Sequence, residues 1–361
     1  MPGDATSAAL SPAERICVFC GSRATADAVL NALLFAPLGW VLGRRKGVFR
    51  TFGWAFLLSA ALELVQLFLA GRYTSLVDVL ANAFGAGCGA WWSRGRGGAL
   101  TSAAVLSVAA LLAPALLLAP DPPEGIYYGQ WTAVFGGMEA YGGKVLEARV
   151  GEVAVPSRRS PHTREIREDL REGGPIRLQV VVGPPPPGEA PVFSVADHRQ
   201  RGIFMLGADG DHVFVRLWRV GTTLRFSTPT WWWPGALSGA APGDTVQVVY
   251  DLGPRGPCLN VQGRKRCLTA TSSAGSWSLL APGGQDGLLQ GVGSLIWAFL
   301  LGIPLGLMKM PRTRKMTLIL GTVLVVAGVS WMLPYWPTPG TGILFLLLGT
   351  SAAMTVRSPR T

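Results

Sequence analysis

Apolar residues are concentrated towards the two ends of the chain, and a more polar block separates them. Read in windows of about 20 residues, the sequence contains seven apolar stretches, at 26–43, 50–70, 75–92, 100–119, 287–307, 316–336 and 341–356. Stretches of about this length cross a bilayer as α-helices. The pattern therefore predicts a membrane all-α bundle of about seven transmembrane helices.

The polar block between them has the pattern of an all-β domain. Runs such as IRLQVVV, HVFVRLWRV and DTVQVVYDL are rich in β-branched residues and are separated by Gly, Pro and Asp turns. Short alternating strands with frequent turns are typical of a β sandwich. The sequence is thus divided into an N-terminal segment (1–25), a four-helix membrane domain (26–119), a β domain (120–285) and three closing helices (286–361).

Composition and charge agree with a membrane location. Only 15% of the 361 residues are charged, against roughly 25% in an ordinary soluble domain. The net charge of +11 would suit a nucleic-acid partner, but the positions of the basic residues along the chain indicate that the charge reflects membrane topology instead. Basic residues lie in short segments after the first, third, fifth and last apolar stretches: Arg44, Arg45, Lys46 and Arg50; Arg94 and Arg96; Lys309, Arg312, Arg314 and Lys315; Arg357 and Arg360.

The segments on the opposite side carry Arg72 alone or no charge. Because Lys and Arg concentrate in cytoplasmic loops, we predict that the basic segments and the C-terminus are cytoplasmic. The N-terminus and the β domain are then extracytoplasmic. The expected partner of the protein is therefore the lipid bilayer, and no nucleic-acid partner is expected.

The cysteines fit an oxidising outer compartment. In CLNVQGRKRC, a two-residue turn at Gln262-Gly263 would place Cys258 opposite Cys267 across a hairpin, at a separation that a disulfide can bridge. The motif CVFC, at residues 17–20, admits three interpretations: a redox pair, half of a metal site or a small disulfide loop. We favour the structural loop, since no second ligand pair lies nearby.

Polar side chains interrupt the first three apolar stretches in pairs at helical spacing. The pairs are Asp27 with Asn31, Glu63 with Gln66, and Asp78 with Asn82. Spacings of three and four place both members on one helix face, and the direction of each helix places all three pairs at the outer leaflet, where Arg72 follows the second stretch. Either these groups form a ligand or catalytic site, or they hydrogen-bond neighbouring helices and hold the bundle together.

The residues around these pairs resemble the VanZ-like family of bacterial membrane proteins. The motifs are ADAVLNALLFAPLGWVLG and SAALELVQLFLAGRYTSLVDVLANAFGAGCG. The matching positions are Asn31, Phe35, Pro37, Leu38 and Gly39, then Ser59, Glu63, Gln66, Arg72, Ser75, Asp78, Asn82 and Gly85. The resemblance implies a bacterial cell-envelope location and a link to resistance to the glycopeptide teicoplanin, with no established reaction. It also implies one further membrane helix before the first motif, which this sequence does not contain.

The β domain is similar to the concanavalin A-like jelly roll of LamG and pentraxin domains. The similarity lies in strand order and turn placement from PVFSVADHRQRGIFMLGADGDHVFVRLWRVGTTLRFSTP to CLNVQG. It implies binding of glycans or proteins, in some members through calcium. Asp197, Asp209 and Asp211 carry oxygen ligands suited to calcium, although Asp-Gly-Asp is also an ordinary hairpin turn. No other cofactor is expected.

Three consecutive tryptophans stand out within this domain. Trp231, Trp232 and Trp233 would offer faces on which a sugar stacks. Alternatively, they fill the core of the sandwich or form an aromatic belt at the bilayer. The E-x-D-x-x-E pattern of a glycosidase of this fold is absent from the strands, and the three histidines lack zinc-ligand spacing.

Two functional hypotheses follow. In the first, the β domain binds cell-wall glycan while the membrane site binds a lipid-linked glycan precursor or a similar ligand in the outer leaflet. In the second, the protein is an enzyme that modifies such a precursor, with Glu63 or Asp78 as general base and Arg72 holding a phosphate or carboxylate. A transporter ranks last, because the later helices carry almost no ionisable residue. The oligomeric state stays open.

Overall fold

In the computed structural model, the described residues are 16–69, 73–94, 97–135, 137–253, 256–268, 272–281, 287–307 and 340–356, with 311, 313, 316–317, 319–321 and 323–324. The N-terminal half of the membrane part contains α1 (Ala24–Lys46), α2 (Val48–Gln66), α3 (Leu76–Ser93) and α4 (Gly97–Leu117). A parallel pair of short strands, β1 (Ile16–Cys17) and β2 (Thr74–Ser75), lies beside α3. These four helices coincide with the first four predicted stretches.

Two smaller helices, α5 (Thr163–Glu172) and α6 (Val220–Thr223), lie among the strands of the β domain, and a third, α7 (Ser272–Leu280), follows the last strand and packs against α4. They are followed by α8 (Gly287–Leu307) and α9 (Gly340–Val356), at the fifth and last predicted stretches. Most of the sixth stretch, 316–336, lies outside the described residues. Within the described part of the chain, α1 and α2 are long and apolar enough to cross a membrane, and shorter apolar segments occupy Thr101–Leu117, Val292–Gly306 and Ile343–Met354.

The backbones of α1 and α3 are in direct contact. A Cβ atom on Gly39 would overlap the carbonyl group of Ala86, and a Cβ atom on Gly85 would overlap that of Ala32. Gly43 and Gly89 make equally close approaches further along the two helices. Because lipid supplies no hydrophobic drive between helices, small residues that permit such contact stabilise the pair through dispersion. This contact sets the positions of the polar residues on both helices.

A tight turn separates α1 from α2. Gly47 adopts a φ of 82° between the two helices, in the region that favours glycine. The last turn of α1 carries Arg44, Arg45 and Lys46. The guanidinium of Arg44 lies 5.7 Å from the ring centroid of Trp40. The cations are therefore gathered at the end of α1 that meets α2.

The β domain consists of two antiparallel sheets. Its strands are β3 (Tyr127–Trp131), β4 (Lys144–Val150), β5 (Val153–Ala154), β6 (Ile176–Val181), β7 (Ala190–Asp197), β8 (Gly202–Asp209), β9 (His212–Leu217), β10 (Thr230–Trp233), β11 (Thr245–Gly253), β12 (Gly256–Val261) and β13 (Arg264–Cys267). One sheet has five strands in the order β10-β9-β8-β7-β3, and the other has six in the order β13-β12-β11-β6-β4-β5. The block is mostly β with antiparallel sheets, as the sequence predicted, and it also contains short helices.

A single hydrophobic core joins the two sheets. Phe204 of the five-stranded sheet packs on Tyr250 of the six-stranded sheet, with ring centroids 5.7 Å apart. Trp233 meets the same tyrosine edge to face. Phe193, Phe204 and Tyr250 are almost completely buried, so the sheets pack face to face as layers of one sandwich.

Two disulfides are present. Cys258 and Cys267 are directly paired across β12 and β13, with Cα atoms 4.0 Å apart. The turn between them has positive φ at both Gln262 and Gly263, as a two-residue hairpin turn of type I′ requires. The second disulfide joins Cys17 and Cys20.

The β domain contacts the N-terminal end of α1. The carbonyl oxygen of Arg225 accepts hydrogen bonds from the backbone N–H groups of Thr25 and Ala26, at 3.2 and 3.5 Å. Arg23 donates through Nε to the hydroxyl of Ser227 at 2.9 Å. The first N–H groups of a helix have no partner within the helix, so the β domain supplies acceptors that α1 needs. The β domain and the start of α1 are consequently on the same side of the bundle.

The glycine contact can be tested with a matched pair of substitutions. Gly39→Val places a branched side chain against the Ala86 backbone and should destabilise the protein by about 1–3 kcal/mol, as overpacking does. Gly53→Val in α2 is the control, because a Cβ atom there would meet nothing within 4 Å. Melting temperatures of the two purified variants measure the difference. Equal melting temperatures would show that α1 and α3 are not in backbone contact.

Candidate functional site

The paired polar residues of the first three helices lie together at one end of the bundle. The side-chain amide of Asn31 on α1 lies next to the carboxylate of Asp78 on α3. The carboxylates of Asp27 and Glu63 lie near enough to Asp78 to interact with it electrostatically. Three helices therefore each contribute a carboxylate to one cluster, which we call the polar site.

Glu63 anchors the polar site to the segment before α3. Its side chain is only 6% exposed, and its Oε2 atom accepts a hydrogen bond from the backbone N–H of Ser75 at 3.0 Å. The hydroxyl of Thr74 donates to the backbone carbonyl of Glu63 at 2.9 Å. Ser75 also caps α3, since its Oγ accepts the N–H of Asp78 at 3.4 Å. The end of α2 and the start of α3 are thus held together by polar contacts.

Asn82 lies one helical turn beyond Asp78 and is also buried, at 6% exposure. Its Nδ2 atom donates to the hydroxyl of Ser59 on α2 at 2.8 Å. Its Oδ1 atom has no hydrogen-bond partner among the residues that the structure describes. Leaving a buried acceptor unsatisfied costs about 1–3 kcal/mol, so this oxygen can accept a hydrogen bond from a ligand that enters the cluster.

Two predicted members are not among the described contacts of the polar site. Gln66 is half-buried in the last position of α2 and makes no side-chain hydrogen bond with another described residue. Arg72 lies outside the described residues, in the gap between 69 and 73. The only cation within reach in the described part of the chain is Arg23, whose Nη2 atom lies 3.4 Å from Oδ1 of Asp27. Among the described members of the polar site, hydrogen-bond acceptors therefore predominate.

Sequence reasoning missed two contributors to this site. Ser59 was recognised only as a motif position, although its location one turn before Glu63 places it on the same face of α2. The disulfide loop of Cys17 and Cys20 was not associated with the site at all. Its Val18 carbonyl accepts the N–H of Val77 at 3.1 Å, and β1 pairs with β2 beside Glu63. No local signal in the sequence indicates that pairing.

The chemistry of the cluster suits a ligand rich in hydrogen-bond donors. Carboxylate oxygens of Asp27, Glu63 and Asp78 accept hydrogen bonds only, and charge-assisted hydrogen bonds are about twice as strong as neutral ones. Sugar hydroxyl groups and ammonium groups present such donors.

Residues 4–95 match the family model described as VanZ/LLP1. The match includes α1, α2 and α3 and every member of the polar site, so this part of the chain is similar to VanZ-like proteins. The β domain and the later helices lie beyond the matched range. No curated protein and no solved structure matches the chain.

The three tryptophans of β10 are not an exposed stacking surface. Trp231 and Trp233 are 9% and 1% exposed and belong to the core between the sheets. Trp232 points to the other side of the strand and packs against Phe214, with ring centroids 5.1 Å apart. Because alternate residues of a strand face opposite sides, two of the three rings fill the sandwich. Of the three interpretations of these tryptophans, the burial of Trp231 and Trp233 favours the one in which they fill the core of the sandwich rather than stack on a sugar.

The three aspartates considered for calcium do not form one site. Asp197 lies at the turn before β8 and Asp209 at the far end of the same strand, a separation of about 20 Å at 3.3 Å per residue. Asp211 lies 2.8 Å from the imidazole of His212. Within the described ranges, no group of three or more His, Cys, Asp or Glu side chains could hold a metal ion. The pairing of Asp209 with His212 across the β8–β9 hairpin favours the alternative in which Asp-Gly-Asp is an ordinary turn.

Asp197 instead stabilises the turn between β7 and β8. Its Oδ1 atom accepts the backbone N–H groups of Arg199 and Arg201, and its Oδ2 atom accepts a hydrogen bond from the Arg201 guanidinium at 2.7 Å. Burial raises the pKa of this carboxyl, but the hydrogen bonds and the positive charge of Arg201 outweigh it. The pKa therefore lies below its ordinary value.

Asp197→Asn should destabilise the β domain at neutral pH by about 1–3 kcal/mol, because the turn loses a charged acceptor. In the wild type, the contribution of this carboxylate is present above the unfolded pKa of about 3.9 and is lost as the pH falls through the lower folded value. The variant should therefore lose less stability than the wild type on acidification. Melting temperatures of the full-length protein between pH 7 and pH 3, followed by tryptophan fluorescence, test this.

Asp251→Asn is the control for this measurement. Asp251 pairs with Lys265 at 2.9 Å on the surface, where an ion pair contributes about 0–1 kcal/mol. If both variants have the same pH dependence as the wild type, Asp197 does not carry the acid sensitivity.

Proposed function

We propose that this protein is a multi-pass membrane protein of the bacterial cell envelope, with about seven transmembrane helices and an extracytoplasmic β domain. Two observations support the orientation. The first turn of α1 contacts the β domain through Arg225, whereas the last turn carries Arg44, Arg45 and Lys46. Since basic residues concentrate on the cytoplasmic side, the β domain is on the outside, and the C-terminus, three spans after the β domain, is in the cytoplasm.

The polar site then opens towards the outer leaflet, where it binds the head group of a lipid-linked envelope ligand. The observation that carries this proposal is the meeting of carboxylates from three helices at the end of the bundle nearest the β domain. Buried carboxylates are costly in a membrane and persist where they serve a function. A lipid-linked glycan precursor has hydroxyl donors that match these acceptors, and removal or shielding of such a precursor would provide resistance to teicoplanin.

In this proposal the β domain is a concanavalin A-like sandwich that recognises glycan in the same compartment. Its two antiparallel sheets of five and six strands around one core support that assignment. Since Trp231 and Trp233 are buried, any glycan contact uses other residues of the domain.

An enzyme acting on the same ligand is the second candidate. It is favoured by the proximity of the Glu63 and Asp78 carboxylates, because acid–base catalysis commonly uses two neighbouring carboxylates with different roles. Conversion of the bound lipid-linked species into a product by the purified protein would distinguish the enzyme from a binding protein.

The binding role predicts a specific loss in Asp78→Asn. The variant removes a charged acceptor from the centre of the polar site, so retention of the ligand should fall about tenfold or more. The measurement is the amount of lipid-linked glycan that copurifies with the protein, determined by mass spectrometry, together with the teicoplanin concentration that inhibits growth. Glu172→Gln, at the exposed end of α5, is the control.

Membrane abundance separates a ligand site from a purely structural cluster. Loss of ligand with normal abundance supports the proposal. Normal abundance with unchanged ligand content and unchanged teicoplanin sensitivity would refute it. Reduced abundance of Asp78→Asn would indicate that the cluster serves mainly to hold the helices together.

The orientation of the protein in the membrane can be tested by labelling single cysteines. In a Cys88→Ser background, which removes the free cysteine of the described chain, single cysteines replace the exposed residues Ala154 and Arg45. A membrane-impermeant maleimide added to intact cells should label Ala154→Cys and leave Arg45→Cys unlabelled until the cells are opened. The reverse labelling pattern would invert the proposed topology.

A further inference from the structure

A groove opens on the β domain at the edge of the six-stranded sheet. It encloses about 1000 Å³ and is lined by the β4–β5 hairpin, by the segment from 155 to 162 and by Trp131 at the end of β3. Ligand pockets in proteins commonly have volumes of about 300–1000 Å³. The groove lies outside the polar site and outside the range that matches the VanZ/LLP1 model.

Backbone hydrogen bonds hold one wall of the groove in place. The carbonyl of Arg158 accepts the N–H of Gly129 at 3.0 Å, and the N–H of Ser160 donates to the carbonyl of Tyr127 at 2.9 Å. The indole N–H of Trp131 donates to the carbonyl of Val155 at 3.2 Å. The segment 155–160 is thus attached to β3 at three points, so the groove is formed before any ligand arrives. A preformed site avoids the entropic cost of ordering a loop on binding.

The acidic residues at the groove are already neutralised. Glu147 lies 3.4 Å from the guanidinium of Arg149, and Glu152 lies 3.2 Å from that of Arg177 and 3.8 Å from that of Arg149. Two carboxylates and two guanidinium groups therefore form a balanced network along this edge.

Arg158 and Arg159 do not take part in this ion-pair network. Both are exposed and line the groove, and neither guanidinium has an ion-pair or hydrogen-bond partner among the described residues. They add two positive charges to a site whose remaining charges cancel. A guanidinium presents donors in a planar fork that matches phosphate and carboxylate oxygens, so the groove is suited to an anionic ligand.

We propose that this groove binds an anionic envelope glycopolymer, with Arg158 and Arg159 contacting its phosphate or carboxylate groups. Trp131 and the exposed side chain of Leu146 supply apolar surface for the sugar units between those groups. The inference rests on the proposed function in one respect, the extracytoplasmic location of the β domain. It requires neither the polar site nor the buried tryptophans.

The test uses the full-length protein in nanodiscs of zwitterionic lipid and measures binding of defined polymers. Poly(glycerol phosphate) and polygalacturonate represent the phosphate and carboxylate classes, and dextran is the neutral polymer. The wild type should bind at least one of the two anionic polymers and not dextran, and the preference between the two identifies the anionic group. Failure to bind either anionic polymer would overturn the proposal.

Arg158→Ala combined with Arg159→Ala should weaken that binding by about tenfold to a hundredfold, since two charge-assisted contacts are lost. The matched control combines Arg171→Ala with Arg199→Ala, which removes the same charge from exposed positions outside the groove lining. An equal loss in both double variants would attribute binding to overall charge and overturn the proposal. Both double variants should retain the wild-type melting temperature, because the side chains they remove are exposed.

Two further measurements distinguish the groove from a lipid-binding surface and from the polar site. Vesicles of phosphatidylglycerol should not displace the polymer; displacement at equal phosphate concentration would identify a lipid surface as the ligand and overturn the proposal. Asp78→Asn should bind the polymer as the wild type does. Loss of polymer binding in Arg158→Ala/Arg159→Ala with full retention of the lipid-linked ligand would establish the groove as a separate site.

Discussion

Direct backbone contact between α1 and α3 is the constraint on which the membrane part of this protein depends. Gly39 and Gly43 on one helix, and Gly85 and Gly89 on the other, leave no space for side chains between the two axes. The helices are parallel, so residues near their N-terminal ends come together on the same side. This is why Asn31 reaches Asp78. Without the glycine contact, the polar residues would remain on separate helices, each at a high cost in a membrane.

The remaining contacts of the polar site are made by short segments that lie over the N-terminal ends of α1 and α3. Ser75 binds Glu63 and caps α3, and the disulfide loop at Cys17 lies against the same strand. Arg23 links Asp27 to Ser227 of the β domain. The carboxylates therefore lie under a cover made of short segments from distant parts of the sequence. A ligand that enters the polar site would meet both the helix ends and the β domain.

The β domain is built around a conventional sandwich core, and the proposed binding groove lies away from the three tryptophans of β10. The tryptophans of β10 fill the interior, where their area contributes to stability. The groove beside β4 and β5 is instead formed by a proline-containing segment with two exposed arginines. Two sites of opposite charge result, an acceptor-rich one at the helix ends and a cationic one on the β domain. Together they suit an envelope ligand that has both a lipid-linked part and an anionic polymer part.

Much of this arrangement was already determined by the sequence itself. Helix positions follow from the lengths of apolar stretches, and the pairing of Asp27 with Asn31 or Asp78 with Asn82 follows from a helical period of 3.6 residues. The Cys258–Cys267 pair follows from a two-residue turn. Each of these depends on residues close together in the chain, for which geometry is fixed by local backbone rules.

Only the tertiary structure decided which face of β10 is buried, because alternation indicates two faces without saying which one meets the core. It also decided that Asp197 forms an ion pair with Arg201, that Asn82 hydrogen-bonds Ser59, and that the segment 155–160 hydrogen-bonds β3. Contacts of this kind join residues on different elements, and their energies depend on packing and burial that no local pattern in the chain records.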